Sequence, residues 1–177
     1  MLRLSHRVER DKRLTSHVAL VARAFGADKM YYTGDIDQNV ELTVKKVNQK
    51  LGGTFEVEYV ESWRTLLKGW KGSIVHLTMY GMPLKNVIQK IRKTYAEKQK
   101  LMVVVGGEKV EAEVFHIADY NVSITNQPHS EAAALAVFLD WLFEGTELER
   151  TFPDAEIQII PSPRGKIVRR RNGFIET

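Results

Sequence analysis

The sequence predicts an α/β fold built on a parallel sheet, with a β-hairpin appended at its C-terminal end. Three observations carry that prediction. Short β-branched runs alternate with segments of helical period along most of the chain. The run SIVHLTM is mostly apolar and LMVVV wholly so, as suits strands covered on both faces. After Gly145 the alternation stops, and two extended runs flank Pro161-Ser162-Pro163-Arg164-Gly165. At roughly 100–200 residues per domain, the chain's 177 residues make one main domain, placed at 1–145, and an extension over 146–177.

The elements follow in order. Residues 1–4 read as a short strand. Leu14, Val18, Val21 and Phe25 share one helical face, which Gly26 ends. Residues 29–33 (KMYYT) form a second strand. Asp35 is placed to cap a helix whose apolar face is Ile36, Val40, Val44, Val47 and Leu51, closed by Gly52-Gly53. Phe55, Val57 and Tyr59 alternate with polar residues as a strand, and 62–70 is a short helix. Residues 73–79 are a strand, and Pro83 suits the first turn of a helix burying Leu84, Val87, Ile88, Ile91 and Tyr95. Residues 101–105 are the clearest buried strand. A helix over 110–118, a strand over 120–124 and a helix over 130–143 complete the domain. The hairpin strands fall at 156–160 and 166–170.

Residues 132–143 (AAALAVFLDWLF) are apolar except for Asp140. The run is too short to span a bilayer, so it reads as a helix buried on most sides, in part by a second subunit. No apolar run reaches about 18 residues, and the first thirteen are charged where a signal peptide needs an apolar core. The expectation is a soluble, cytoplasmic protein with no membrane partner. Having no cysteine, the chain cannot build a disulfide framework, zinc ribbon, iron–sulfur site or thiol nucleophile. Its five histidines are scattered, so no metal is expected. The glycine fingerprints of dinucleotide sites and P-loops are missing.

In parallel sheets, ligands bind beyond the carboxyl ends of the strands. That directs attention to the loops after Met79, Val105 and Ile124. Gly106-Gly107-Glu108-Lys109-Val110 permits close backbone approach to a ligand beside a helix start. Glu108 either accepts a ligand hydrogen bond or merely favours that helix start. Asn126-Gln127-Pro128-His129-Ser130-Glu131 is denser in polar side chains than one helix cap requires, since Ser130 alone would serve as the cap. His76, in an apolar strand, reads as a core histidine. The net charge of +4 is a slight basic tilt, and the clustering matters more. Arg7, Arg10 and Arg13 recur every third residue around Asp11, with His17 four residues on. Arg164, Lys166, Arg169, Arg170 and Arg171 put five positive charges in eight residues. Either cluster alone suits a solvated surface. Together on a small α/β domain they point to a nucleic-acid backbone.

Taken together, RVERDKRLTSH at 7–17, HLTMYG at 76–81, VVVGGEKV at 103–110 and NQPHSEAAALA at 126–136 resemble the archaeal tRNA (cytidine-56) 2′-O-methyltransferases of the SPOUT superfamily. The resemblance covers nearly the whole chain. It implies an α/β knot, in which the C-terminal part of the sheet domain threads a loop. It also implies a homodimer, a tRNA substrate and S-adenosylmethionine as methyl donor. Carried over by position, Leu77, Gly106, Gly107, Glu108, Lys109, Val110, Ile124, Thr125, Asn126, Gln127, Pro128, His129, Ser130 and Glu131 would surround the cofactor. Residues 127–131 depart from the Asn-containing segment common in the wider superfamily. Arg10, Asp11, Arg13 and His17 are the candidate catalytic residues: the arginines as phosphate and transition-state clamps, Asp11 or His17 for the proton. Arg7 and the basic tail would hold RNA. The implied activity is methylation of the cytidine-56 ribose in the T-loop. A methyltransferase acting on a base nitrogen and a non-catalytic tRNA-binding module are the alternatives.

Overall fold

The computed structural model describes residues 1–11, 13–98, 100–107 and 109–176. In chain order it comprises β1 (Leu2–His6), α1 (Leu14–Ala24), β2 (Lys29–Gly34), α2 (Gln38–Leu51), β3 (Glu56–Tyr59) and α3 (Trp63–Gly69). There follow β4 (Ser73–Pro83), α4 (Leu84–Lys98), β5 (Leu101–Gly106), α5 (Ala112–Ile117), β6 (Tyr120–Ser123) and α6 (Glu131–Phe143). A 3₁₀ turn (Thr146–Glu149) then leads to β7 (Ile157–Ile160), β8 (Ile167–Arg170) and β9 (Ile175–Glu176).

The first six strands pair in parallel in the order β3-β2-β1-β5-β4-β6. The chain builds outward from β1 to β3, then crosses to the other side of β1, so strand order reverses between β1 and β5. Period-2 alternation in the central strands divides the core. Leu2, Leu4, Met102 and Val104 pack with Trp63, Leu67 and Val114 from α3 and α5. Val103 and Val105 face the opposite side, against Val18, Ala22, Ile91, Leu135 and Phe138 from α1, α4 and α6. Each large side chain buried in this way contributes about 1.5–3 kcal/mol. The sheet therefore has apolar cover on both faces, as its runs of Val and Ile require.

Several boundaries differ from the sequence reading for identifiable reasons. Asp37, not Asp35, caps α2: its carboxylate accepts from Asn39 N at 2.9 Å, while Asp35 accepts from Val8 N at 2.9 Å. Ile36 consequently lies outside the helix and is exposed. Pro83 ends β4 instead of entering α4, and α5 begins at Ala112, leaving Val110 in the preceding loop. The 3₁₀ turn and β9 are too short to leave a periodic signal.

The β4–β6 pairing is unusual. Val122 is in parallel register with Leu77 and again with Met82, so two separate stretches of β4 pair with β6. Gly81 lies against β6, where a Cβ would collide with Val122 N and Asn121 C. Only a residue without a side chain fits that crossing.

The C-terminal sheet is antiparallel, in the order β7-β8-β9. The link to it is packed on the main domain. Glu147 and Ala155 are buried, and Asp154 accepts from Gly53 N at 3.0 Å. The Arg23 guanidinium lies 4.5 Å from the Phe152 ring centroid and donates to the Gly52 carbonyl. Among the described residues, no helix is long and apolar enough to cross a membrane.

Candidate functional site

Beyond the carboxyl ends of β4, β5 and β6 lies a cleft of about 950 Å³. That is within the range of small-molecule sites, at a switch in strand order where parallel sheets place them. Most of the loop residues singled out by the sequence converge on it: Leu77, Gly106, Gly107, Lys109, Val110, Ile124, Gln127, Pro128, His129, Ser130 and Glu131. Glu108 lies outside the described residues. Thr125 and Asn126 do not line the cleft. Thr125 Oγ1 accepts from Gln127 N at 3.3 Å, and Asn126 Nδ2 donates to Met79 O at 2.6 Å, tying this loop to the end of β4. Ser130 caps α6, accepting from Ala133 N at 3.1 Å, and also faces the cleft.

Sequence reasoning missed several of the walls. Thr78, Met79, Tyr80 and Phe115 line the cleft, and so does His76. The core reading of His76 holds for one ring nitrogen. Nδ1 meets Asn121 Oδ1 at 2.9 Å, and Asn121 Nδ2 donates to Phe115 O at 2.9 Å, which orients the amide. This chain assigns the ring proton to Nδ1 and leaves Nε2 as a buried acceptor with no hydrogen bond among the described residues. Burial pushes the His76 pKa down, so the ring is neutral. An orphaned acceptor beside a cleft was not legible from a lone histidine in a strand.

The N-terminal motif divides. Arg10 and Asp11 form part of the cleft wall, whereas Arg7, Arg13 and His17 are exposed and do not line it. The cause is a turn closed by Asp11 N donating to Arg7 O at 2.7 Å; α1 starts only at Leu14. Asp11 is itself saturated with donors. It accepts from Arg10 Nε at 2.7 Å, Arg10 Nη2 at 2.9 Å, Arg7 N at 3.1 Å and Arg3 Nη2 at 3.1 Å. The Arg10 hydrogen bonds, ahead of the other donors, hold its carboxyl well below the usual carboxylate range. A carboxylate so stabilised is a poor proton acceptor, and its evident work is to orient Arg10.

Arg3, at the centre of β1, carries no local sequence signal of a role in the site. It is fully buried, and it donates from Nε to Glu131 Oε2 at 2.9 Å as well as to Asp11. One buried guanidinium thereby joins the N-terminal motif to the first residue of α6, across 128 residues of sequence. Burial raises the Glu131 pKa, opposed by Arg3. Gly107 packs at this junction. A Cβ there would lie 3.0 Å from Arg10 Nη2 and 3.8 Å from Glu131 Oε1. At Gly106 a Cβ would collide with the Val110 side chain. The tail cations Arg164, Lys166, Arg169, Arg170 and Arg171 are exposed on or beside the second sheet, away from the cleft lining; Arg170 pairs with Glu176 at 3.0 Å.

The residues present fit S-adenosylmethionine. Leu77, Val110, Phe115 and Ile124 offer an apolar lining for a nucleobase, and Gly107 leaves room between Arg10 and Glu131 that a side chain would fill. Glu131 supplies a negative charge suited to a sulfonium, and His76 Nε2 supplies a spare acceptor.

Known proteins resemble this chain over most of its length. The family model described as tRNA ribose 2′-O-methyltransferase, aTrm56, matches residues 51–169. A tRNA (cytidine(56)-2′-O)-methyltransferase of Thermococcus kodakarensis is 51% identical over 170 residues, covering 95% of this chain and 94% of that protein. The Methanopyrus kandleri protein of the same name is 52% identical over 173 residues, covering 96% and 95%. Among solved structures, the SpoU methyltransferase AviRb from Streptomyces viridochromogenes, in complex with AdoMet, superposes with a TM-score of 0.56 at 17% identity. That match covers 81% of this chain and 57% of AviRb, and it supports the fold. With a family model spanning most of its length and half of its residues shared with full-length relatives, this chain belongs to the aTrm56 family of tRNA ribose 2′-O-methyltransferases.

Proposed function

We infer that this chain methylates the ribose 2′-hydroxyl of cytidine 56 in the T-loop of tRNA, using S-adenosylmethionine. The observation that carries the reading is the cleft at the switch in strand order, which joins a glycine cradle to the Arg10–Asp11 pair. It is supported by the relatives' shared activity name. S-adenosylmethionine supplies an electrophilic methyl group on a sulfonium. The protein's part is to hold the acceptor in line, exclude water and dispose of a proton.

Leu77, Gly106, Gly107, Lys109, Val110, Ile124 and residues 127–131 hold the cofactor; Thr125 and Asn126 shape that loop from behind. Arg10 clamps the ribose-phosphate, oriented by Asp11. An arginine is too weak an acid to act as base, and Asp11 is too strongly ion-paired, so neither takes the proton. Arg13 and His17 lie outside the cleft wall. They serve the incoming RNA with Arg7 and the basic tail, a contribution read in the salt dependence of tRNA affinity. Residues 146–177 act as the RNA-docking extension.

The functional unit is a homodimer built on the outer face of α6. Leu135, Phe138, Leu139 and Leu142 are buried, yet Val137 and Trp141, one turn apart, remain 39% and 42% exposed. Tyr80 and Met82, at the end of β4, are exposed at 79% and 57%. Sedimentation equilibrium is expected to give twice the 20.3 kDa chain mass. A single-chain mass at micromolar concentration would overturn the dimer. The doubled β4–β6 register and the Gly81 crossing support a threaded chain at the same place. Such threading is rare, and no hydrophobic pattern encodes it.

The test is a tRNA carrying one 2′-deoxycytidine at position 56. It is expected to bind with near-normal affinity and accept no methyl group. Transfer at full rate would place the acceptor on the base and replace this reading with base methylation.

A further inference from the structure

We propose that Glu131 is the proton acceptor of the methyl transfer, held in position by the buried Arg3. This rests on the functional reading above and deepens it at one atom. The reaction needs such a group. As the ribose oxygen bonds to the methyl carbon, the carbon–sulfur bond breaks and its electron pair stays on sulfur as a neutral thioether. The hydroxyl proton must leave the oxygen, and Glu131 receives it as a neutral carboxylic acid, which later returns the proton to solvent. Charge is conserved: one sulfonium and one carboxylate give two neutral groups and a neutral ether.

The geometry singles out Glu131 among the described cleft residues. Its Oε2 is bound by Arg3 Nε at 2.9 Å, which fixes the carboxylate from behind. Its Oε1 faces the open side of Gly107, 3.8 Å from where a Cβ would stand, beside the Arg10 guanidinium that clamps the acceptor nucleotide. The rivals are less suited. Asp11 is occupied by Arg10, Arg3 and the Arg7 backbone. His76 presents a bare Nε2, but protonating it would leave a cation on a buried ring just as the sulfonium charge vanishes, whereas protonating Glu131 removes a charge. Among the described residues, the ionisable groups around Glu131 are Arg3 from β1 and Arg10 and Asp11 from the turn after it, with Lys109 and His129 also on the cleft wall. Burial opposes the ionised form of Glu131 more than Arg3 favours it, so the group binds a proton more readily than an ordinary glutamate.

The experiment compares wild-type enzyme with E131Q on unmodified tRNA. Glutamine keeps an oxygen for Arg3, so the fold should persist by circular dichroism; loss of the charge facing the sulfonium should weaken S-adenosylmethionine by calorimetry, so rates are compared at saturating cofactor. Single-turnover rates should fall by roughly 10²- to 10⁴-fold. The wild-type rate should drop as pH falls through the raised Glu131 pKa, because a protonated base accepts nothing, and E131Q should lose that acid limb. Independently of turnover, carbon-13 glutamate labelling should show one carboxyl titrating above the others and missing in E131Q. An E131Q enzyme as fast as an active wild type overturns this proposal alone. So does a defect that saturating S-adenosylmethionine restores, or the absence of an upshifted carboxyl. A wild-type enzyme that transfers no methyl to tRNA overturns the functional reading and this proposal with it.

Discussion

Gly107→Val is expected to weaken S-adenosylmethionine binding by roughly 10²-fold or more, the upper end of an overpacking cost of about 1–3 kcal/mol. The new side chain would enter the cleft between Arg10 and Glu131, where a first carbon already stands 3.0 Å from Arg10 Nη2. The arginine end can swing aside, but the two valine methyls beyond it occupy space that the cofactor requires. The damage should stay local, because Gly107 follows β5 and belongs to neither core cluster. Circular dichroism and melting temperature should therefore match wild type. Calorimetry showing affinity within twofold of wild type would remove the cofactor from this end of the cleft.

The second large effect is on stability. Arg3→Met is expected to cost about 3–5 kcal/mol, the usual penalty for removing one partner of a buried ion pair. Methionine fills much of the volume but leaves Glu131 without its cation and takes one donor from Asp11. At about 2–4 °C per kcal/mol for a chain of this length, the melting temperature should fall by roughly 6–20 °C. The loss should shrink at acid pH, where protonated Glu131 no longer needs a counter-charge. The Glu131 pKa is raised, so that relief begins above the ordinary glutamate range. A melting temperature within about 2 °C of wild type would show that Arg3 is not the hub of the site.

Much of the fold was legible because its signals are local. LMVVV is buried on both faces in β5, Ser130 caps α6 as its position suggests, and α3 falls within the helix read over 62–70. The three loops were found because parallel sheets concentrate ligands beyond strand ends. Local competition explains the misses. Asp35 and Asp37 are equivalent as sequence, and Val8, from a distant turn, claims one of them. Arg7, Arg10 and Arg13 share a spacing, but a turn and not a helix holds them, so only Arg10 reaches the cleft.

Local patterning along the chain sets the elements, their covered faces and the loops that carry polar chemistry. Hydrophobic period, caps and turn residues act within a few neighbours and can be read one after another. The tertiary structure decided which charges meet. Arg3 looks like a polar interruption of an apolar strand until its partners, 8 and 128 residues away, are brought beside it. Asp11 looks like a base until three arginine and backbone groups are seen to hold it ionised. Glu131 looks like a first-turn glutamate until burial raises its proton affinity. A side chain's charge state depends on the field and solvent around it, and those are set by residues that only folding makes neighbours.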